Sequence, residues 1–180
     1  MTNRNSFGIV GGDQRQIALA ESIAADGYMV YTHGFDRAPP VKGVKEVELE
    51  ELAERCDTVI LPVPVTADGK KLNAPFSSKG IPLDDYFAGF MVGKAVYGGM
   101  MGRLFPTSNL WEEVDCNDYF IREEFAIRNA VPTAEGAIEI AMRESKDVLH
   151  GRKVLVAGYG NIGKVLSWML KGMGADVWVS

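Results

Sequence analysis

The sequence is short of cysteine, histidine and positive charge. Its 180 residues include two cysteines and two histidines, and 19 Lys and Arg stand against 24 Asp and Glu. Cys56 and Cys116 are too few for a disulfide framework and too far apart for a CxxC pair, and we predict no metal site. The net charge of −5 offers no general attraction for a polyanion, so we expect no nucleic acid partner.

Long apolar runs are also missing. The start of the chain lacks the apolar stretch of a secretory signal peptide, and no uninterrupted apolar run reaches the roughly 20 residues of a membrane span. We therefore expect a cytoplasmic protein without a membrane partner. The hydrophobic fraction of 47% is that of an ordinary globular protein, which excludes disordered and collagen-like chains.

Short apolar runs alternate with amphipathic stretches along the chain. Residues 7–10 predict a strand, Gly11-Gly12-Asp13 a turn, and residues 14–25 have the apolar spacing of a helix. Further strands are predicted at residues 28–31, 58–61 and 94–97, and short helices at 47–55, 83–90 and 108–114. Strand, turn, helix and strand is the βαβ pattern of a parallel sheet. Residues 65–82 have the length of a functional or mobile loop.

Pro132 is predicted to begin the clearest helix, residues 132–142. Proline suits the first helical position because its missing N–H would have no partner there, and the helix dipole favours Glu135 in the first turn. His150-Gly151 then form a break. The predicted organisation is a first domain over residues 1–131, a linker helix over 132–150 and a second domain over 151–180.

The strongest chemical signal is a glycine turn between a strand and a helix. Residues 153–157 predict the strand, and Gly158-Tyr159-Gly160-Asn161-Ile162-Gly163 opens the helix. In this context GxGxxG is a dinucleotide fingerprint, in which Gly158 permits the tight turn, Gly160 lets the backbone approach a pyrophosphate, and Gly163 allows close helix packing. Free N–H groups at the helix start then face the phosphates. The alternative is a glycine turn that packs tightly and binds nothing.

The dinucleotide-binding unit is half present in the sequence. A complete domain has two such halves and about six strands, whereas residues 151–180 supply one βαβ unit. About 20 residues after Gly160, where an acid would bind the ribose of NAD, stands Ser180. We therefore predict NADP rather than NAD as cofactor, and a truncated chain.

Several motifs, taken together, resemble the family of the dipicolinate synthase A-subunit. They are, in chain order, Gly11-Gly12-Asp13-Gln14-Arg15-Gln16, LPVPVT at 61–66, Phe76-Ser77, NAVPTAEG at 129–136 and His150-Gly151. The combination of GGDxRQ with PTxEG carries the resemblance, which runs from residue 7 to residue 180. It implies an α/β protein in which a Rossmann-like, parallel-sheet N-terminal domain precedes the first βαβ unit of a truncated Rossmann dinucleotide-binding domain.

The same resemblance implies an activity and partners. The activity is NADP-dependent oxidation of a small cyclic dicarboxylate, a dihydrodipicolinate-type precursor, to pyridine-2,6-dicarboxylate in the mother cell of a sporulating bacterium. The implied partner is a second, flavoprotein-like synthase subunit, and self-association into a homo-oligomer is a further possible interaction of the chain. Because the nucleotide site is half built, we expect little or no turnover from the 180-residue chain alone.

Candidate substrate residues follow the predicted strands. They are Gly12, Asp13, Arg15, Gln16, Gly98 and Gly99. The first four open a helix after a strand, where open α/β sheets bind ligands, and a guanidinium suits a carboxylate. The two later glycines let backbone N–H groups approach a substrate. The alternatives are that Asp13 is a helix cap and that Arg15 is a solvated surface residue.

Thr133 and Glu135 are the predicted catalytic residues. We expect Thr133 to bond the substrate or the nicotinamide amide, and Glu135 to orient a water or accept a proton. The alternative is that both simply cap their helix. For His150, beside Gly151, we expect a structural contact in a turn.

Two other functions stay open. A D-2-hydroxyacid dehydrogenase-like enzyme would need an Arg-Glu-His set whose histidine is not among these residues. A non-catalytic module that docks a second subunit would present an apolar surface made of Trp168, Met169, Leu170 and Trp178.

Overall fold

The structure, a computed structural model, describes residues 6–180. The chain divides after Phe120 into two units, which we call unit 1 (residues 6–120) and unit 2 (Ile121–Ser180). The unit boundary lies earlier in the chain than the predicted one at residue 131, and the division at residue 150 stays a prediction.

Six parallel strands form the sheet of unit 1. They are β1 (Ser6–Val10), β2 (Met29–His33), β3 (Val44–Glu46), β4 (Thr58–Ile60), β5 (Ala95–Gly98) and β6 (Asp115–Asp118). Their order is β3-β2-β1-β4-β5-β6, and each neighbouring pair runs parallel. This is the strand order of a doubly wound Rossmann sheet, so the predicted α/β, Rossmann-like fold class is confirmed.

Three α-helices of unit 1 connect and cover these strands: α1 (Gln14–Ala25), α2 (Leu49–Arg55) and α3 (Asp85–Gly89). Neighbouring side chains of a strand point to opposite faces of the sheet, and β1 shows the result. Ile9 belongs to the core under α1, and Val10 to the core that includes Leu52 and Phe87. Both residues of β1 are fully buried, as central strands of a parallel sheet require.

The long connection between β4 and α3 is irregular, as the sequence predicts. Within this connection, an isolated antiparallel β-bridge pairs Lys71 with Pro82. The predicted helix at 108–114 is a 3-10 helix over Asn109–Glu113, and the hydroxyl of Ser108 caps it by accepting from Leu110 N at 3.1 Å.

Unit 2 contains a long helix, α4 (Glu123–Glu144), followed by β7 (Lys153–Val156), α5 (Asn161–Gly172) and β8 (Asp176–Val179). Strands β7 and β8 are parallel, so the predicted βαβ unit is present. Helix α4 packs against α5, and the buried positions of the two helices include Ala130 and Ala134 on α4 and Ser167 on α5. Small side chains at these positions allow the helices to approach closely.

The predicted start of the long helix at Pro132 is wrong. Helix α4 begins at Glu123, and Pro132 lies inside it. An interior proline removes one helical hydrogen bond and crowds the preceding turn. In that turn the Thr133 hydroxyl donates to the Asn129 carbonyl oxygen at 2.7 Å.

Within residues 6–180, no helix combines the length and the apolarity needed to cross a membrane.

Candidate functional site

The carboxyl ends of β1 and β4 lie side by side at the centre of the unit 1 sheet. The chain leaves β1 toward β2 on one side, whereas β4 continues toward β5 on the other. Ligands of open α/β sheets bind at this topological switch point. Here the loop of Gly11, Gly12 and Asp13 follows β1, and Pro62-Val63-Pro64 follows β4, with a cis peptide bond between Val63 and Pro64.

The first turn of α1 is filled by its own side chains. Asp13 Oδ1 accepts from the Arg15 backbone N–H at 2.9 Å, and Gln16 Oε1 accepts from the Asp13 N–H at 3.1 Å. The Asp13 side chain also accepts from the Gln16 backbone N–H, so Asp13 and Gln16 form a capping box. Gly12 has φ +113°, and a Cβ on it would lie 2.5 Å from the Gln16 side chain. Asp13 is therefore a helix cap, and this helix start has no open cradle for a phosphate.

Arg15 is held at the switch point by two partners. Its Nε donates to Asp13 Oδ1 at 2.9 Å, and its Nη2 donates to Asp13 Oδ2 at 2.8 Å and to the Val63 carbonyl oxygen at 2.6 Å. The hydrogen bonds from Arg15 lower the pKa of Asp13 below its usual value. The Arg15 side chain is 54% exposed, and its Nη1 makes no hydrogen bond to residues 6–180. The guanidinium is thus oriented and still has two donors to offer.

Tyr119 joins this site from the end of β6. Its hydroxyl donates to the Leu61 carbonyl oxygen at 3.1 Å, and burial raises its pKa to about 12, although the nearby Arg15 acts in the opposite direction. The phenol is therefore neutral near pH 7. Sequence reasoning missed Tyr119, because the strand before it has the polar sequence Asp-Cys-Asn-Asp, which carries no strand signal.

Gly98 and Gly99 pack the β5 end against the loop after β4. A Cβ on Gly99 would lie 2.5 Å from Val63 Cβ, and one on Gly98 would lie 2.8 Å from the Val65 side chain. The Gly99 N–H donates to the Pro62 carbonyl oxygen at 3.1 Å, so this N–H is already engaged. These contacts explain both glycines by packing, and direct binding of substrate by them stays a prediction.

The structure therefore brings together most of the predicted substrate residues and two that were not predicted. The cluster, which we call the switch-point site, consists of Gly12, Asp13, Arg15, Gln16, Val63, Gly99 and Tyr119.

The glycine turn of unit 2 has the geometry expected of a dinucleotide cradle. Gly158 has φ +99°, and a Cβ on Gly163 would overlap the Gly158 carbonyl oxygen, so α5 packs as closely on the turn as the fingerprint requires. Gly160 is the N-cap of α5 and has no side-chain cap. A Cβ on Gly160 would have no atom within 4 Å. The N–H groups at this helix start are thus not capped by a side chain.

The remaining residues of this turn are exposed. Tyr159 is 61% exposed and Ile162 is 45% exposed, and Asn161 begins α5. The Lys164 ammonium lies 5.8 Å from the centre of the Tyr159 ring, which places a positive charge beside the turn. Among the described residues these groups, with the free helix start, fit the diphosphate of a dinucleotide.

Thr133 and Glu135 both lie on α4. The Thr133 hydroxyl donates within its own helix, to Asn129 O. Glu135 is exposed and lines a groove of about 730 Å³ with Trp168 and Lys171. Lys171 is ten residues beyond the start of α5, or about 15 Å along the helix. The catalytic roles of Thr133 and Glu135 stay predictions.

His150 makes the expected structural contact. Its imidazole lies over Gly174, where a Cβ would overlap the ring, and the neighbouring Gly151 N–H donates to the Gly174 carbonyl oxygen at 2.8 Å. Within residues 6–180, no three or more His, Cys, Asp or Glu side chains come together as a metal site would need.

Comparisons with known proteins agree with this architecture. Residues 6–107 match a family described as the N-terminal domain of the dipicolinate synthase A-subunit. The dipicolinate synthase A-subunit of Bacillus subtilis (strain 168) is 25% identical over 172 residues, which cover 94% of this chain and 58% of the relative.

Two solved structures have the same fold. A dipicolinate synthase A-subunit from Bacillus halodurans matches with a TM-score of 0.80 and 26% identity, over 99% of this chain and 62% of that one. The dipicolinate synthase A-subunit from Bacillus subtilis matches with a TM-score of 0.78, 24% identity and coverage of 99% and 61%. The chain thus spans 58–62% of the length of these relatives.

Proposed function

Because this chain belongs to the family of the dipicolinate synthase A-subunit, we propose that it supplies the substrate-binding unit and half of the dinucleotide site of an NADP-dependent oxidoreductase. The reaction is the oxidation of a dihydrodipicolinate-type cyclic dicarboxylate to pyridine-2,6-dicarboxylate. We place this reaction in the cytoplasm of the mother cell during sporulation.

The observation that carries the proposal is the uncapped glycine turn at the start of α5. Gly160, the N-cap of α5, has no side-chain cap, and a Cβ on it would have no atom within 4 Å. The N-terminal N–H groups of a helix bind phosphate oxygens well. A bound nicotinamide supplies the hydride acceptor. The side chain of Ser180, which follows β8, is neutral and would not repel the extra phosphate of NADP, and this favours NADP over NAD.

The switch-point site supplies the recognition of a carboxylate. Asp13 and the Val63 carbonyl use Nε and Nη2 of Arg15, so that Nη1 is left to bind an anion in a fixed direction. Tyr119 lies near Arg15 and is neutral, so it adds no negative charge to the site. A substrate with a carboxylate is therefore favoured over a neutral one.

A second candidate function is docking of the partner subunit. Leu155 and Trp178 pair across β7 and β8, and they are 67% and 60% exposed, so they form an exposed apolar pair on one face of this small sheet. Trp168 is also 74% exposed, whereas Leu170 is 3% exposed and drops out of the predicted docking surface. We propose that the exposed side chains of Leu155, Trp168 and Trp178 contact the flavoprotein-like subunit or a second copy of the chain. Elution as a clean monomer during size-exclusion chromatography, with no binding of the second subunit, would contradict docking.

The enzymatic proposal is tested by binding. In calorimetric titrations, the chain should bind NADP with higher affinity than NAD. Titration with pyridine-2,6-dicarboxylate should give binding that Arg15→Gln removes and Arg128→Gln, an exposed arginine on α4, leaves intact. Absence of heat with either dinucleotide would refute the nucleotide site, and an unchanged affinity in Arg15→Gln would refute the carboxylate site.

A further inference from the structure

Met100 has an unusual backbone conformation beside the switch-point site. With φ +59° it is the one non-glycine residue with positive φ in residues 6–180, and its side chain is half exposed. Side chains disfavour this conformation, which therefore persists only where surrounding groups enforce it.

Asp118 is the group that enforces it. Asp118 Oδ1 accepts from Met100 N at 3.2 Å, and Oδ2 accepts from Met101 N at 2.9 Å. Oδ1 also accepts from Phe120 N at 2.9 Å. One carboxylate at the end of β6 thus fixes the turn that follows β5.

The turn is connected to Arg15 through Gly99 and Val63. Gly99 O accepts from Val65 N at 2.9 Å, and Gly99 N donates to Pro62 O at 3.1 Å. Gly99 also packs directly on Val63, whose carbonyl oxygen accepts from Arg15 Nη2 at 2.6 Å. A shift of the turn would therefore move the oxygen that orients the guanidinium.

We propose that Asp118 is a positioning residue for carboxylate recognition. By holding Met100 in its left-handed conformation, Asp118 keeps Gly99 against Val63, and Val63 in turn keeps Arg15 Nη1 directed at the substrate. This inference rests on the proposed carboxylate site, and it adds a residue on β6 that touches neither Arg15 nor the substrate.

The ligand-free protein offers a first test. The Arg15 Nη2 group, which donates to the Val63 carbonyl oxygen, should give a distinct NMR signal at low temperature with slow solvent exchange. Asp118→Asn should shift this signal and speed its exchange, whereas Asp115→Asn, an exposed carboxylate on the same strand, should not. Adding Met100→Gly to Asp118→Asn should restore the signal, because glycine adopts positive φ without strain. An unchanged Arg15 signal in Asp118→Asn would overturn the inference.

Affinity for pyridine-2,6-dicarboxylate, measured by calorimetry well below the unfolding temperature, gives the second test. Asp118→Asn should weaken binding about tenfold, because residues that share one hydrogen-bond network are coupled, whereas the control Asp115→Asn should leave the affinity unchanged. If the parent chain does not bind the dicarboxylate, the carboxylate site fails and the inference with it. If the parent binds and Asp118→Asn binds equally well, the inference alone fails.

Discussion

Asp13 holds the guanidinium of Arg15 with both carboxylate oxygens, at 2.9 Å to Nε and 2.8 Å to Nη2. This ion pair distinguishes the glycine turn before α1 from the one before α5, although the two turns look alike in sequence. At α1 the helix start is capped by the side chains of Asp13 and Gln16, whereas at α5 the cap is Gly160 without a side chain. Of these two helix starts, the one at α5 is therefore the one without a side-chain cap, and the α1 turn presents an oriented cation instead.

Substitutions of Asp13 distinguish its two roles, which are to cap α1 and to form an ion pair with Arg15. Asn is as good an N-cap as Asp, whereas Ala is not. We expect Asp13→Ala to lower the free energy of unfolding by about 1 kcal/mol, and Asp13→Asn by only a few tenths, because the ion pair is largely exposed. Chemical denaturation at pH 7 measures both. Equal losses in the two variants would contradict the capping role.

The same carboxylate makes stability depend on acid pH. Arg15 lowers the pKa of Asp13 below 3.8, so its contribution is fully present above that value and is lost as the pH falls through the lowered pKa. The parent chain should therefore lose more stability than Asp13→Asn between pH 4 and roughly pH 2. If the free energy of unfolding changed equally with pH in the two proteins over this range, the ion pair between Asp13 and Arg15 would be contradicted.

Two of the three fingerprint glycines, Gly160 and Gly163, predict different outcomes when they are replaced by alanine. Gly160→Ala places a methyl group in open space with φ −74°, so stability should change by less than about 0.5 kcal/mol while NADP affinity falls, since the methyl group stands where the pyrophosphate approaches. Gly163→Ala overlaps the Gly158 carbonyl and should destabilise unit 2. Thermal unfolding and calorimetry distinguish the two. Full NADP binding by a folded Gly160→Ala chain would refute the cradle.

Tyr119 predicts a change at alkaline pH. Its pKa is raised from 10.0 to about 12, mainly by burial. The folded state keeps the phenol proton to a higher pH than the unfolded state does. The contribution of Tyr119 to the free energy of unfolding is therefore complete below pH 10 and is lost as the pH rises toward 12. Solvent near the ring reduces its size to about 1–2 kcal/mol. Tyr119→Phe should remove that part of the pH dependence, and an unchanged curve would contradict the burial of a neutral phenol.

The regular part of the fold could be predicted because its signals are local. Helix α1 lies at the predicted residues 14–25, since an Asp cap precedes an apolar stripe. Strand β6 could not be predicted from Asp-Cys-Asn-Asp; neighbouring β5 makes it a strand by pairing Val96 with Cys116. The start of α4 was misplaced because proline favours a first turn, whereas here the packing of α4 on α5 outweighs that local preference.

The switch-point site was half predictable for the same reason. Asp13 and Arg15 stand next to a glycine turn and a predicted strand, so their position follows from the βαβ pattern. Val63 and Tyr119 come from the ends of other strands, and their place beside Arg15 depends on strand order, which the sequence pattern does not encode. The role of Asp118 could not be predicted from the sequence either, because it follows from the backbone conformation of Met100.

The α4–α5 contact contains one unsatisfied polar group. Ser167 is 4% exposed, and its hydroxyl has no hydrogen-bond partner among the described residues. A buried hydroxyl without a partner costs free energy, and Ala is the better helix former. Ser167→Ala should therefore raise the free energy of unfolding of unit 2 by about 0.5–1.5 kcal/mol, read as slower amide hydrogen exchange in α5.

Ser108 provides the matched control for this substitution. It is also buried, but its hydroxyl accepts from Leu110 N at 3.1 Å, so Ser108→Ala removes a cap and should destabilise unit 1 by about 1 kcal/mol. The two serines thus predict opposite signs for the same chemical change. Destabilisation by Ser167→Ala as well would mean that the hydroxyl, rather than its burial without a partner, supports the contact between α4 and α5.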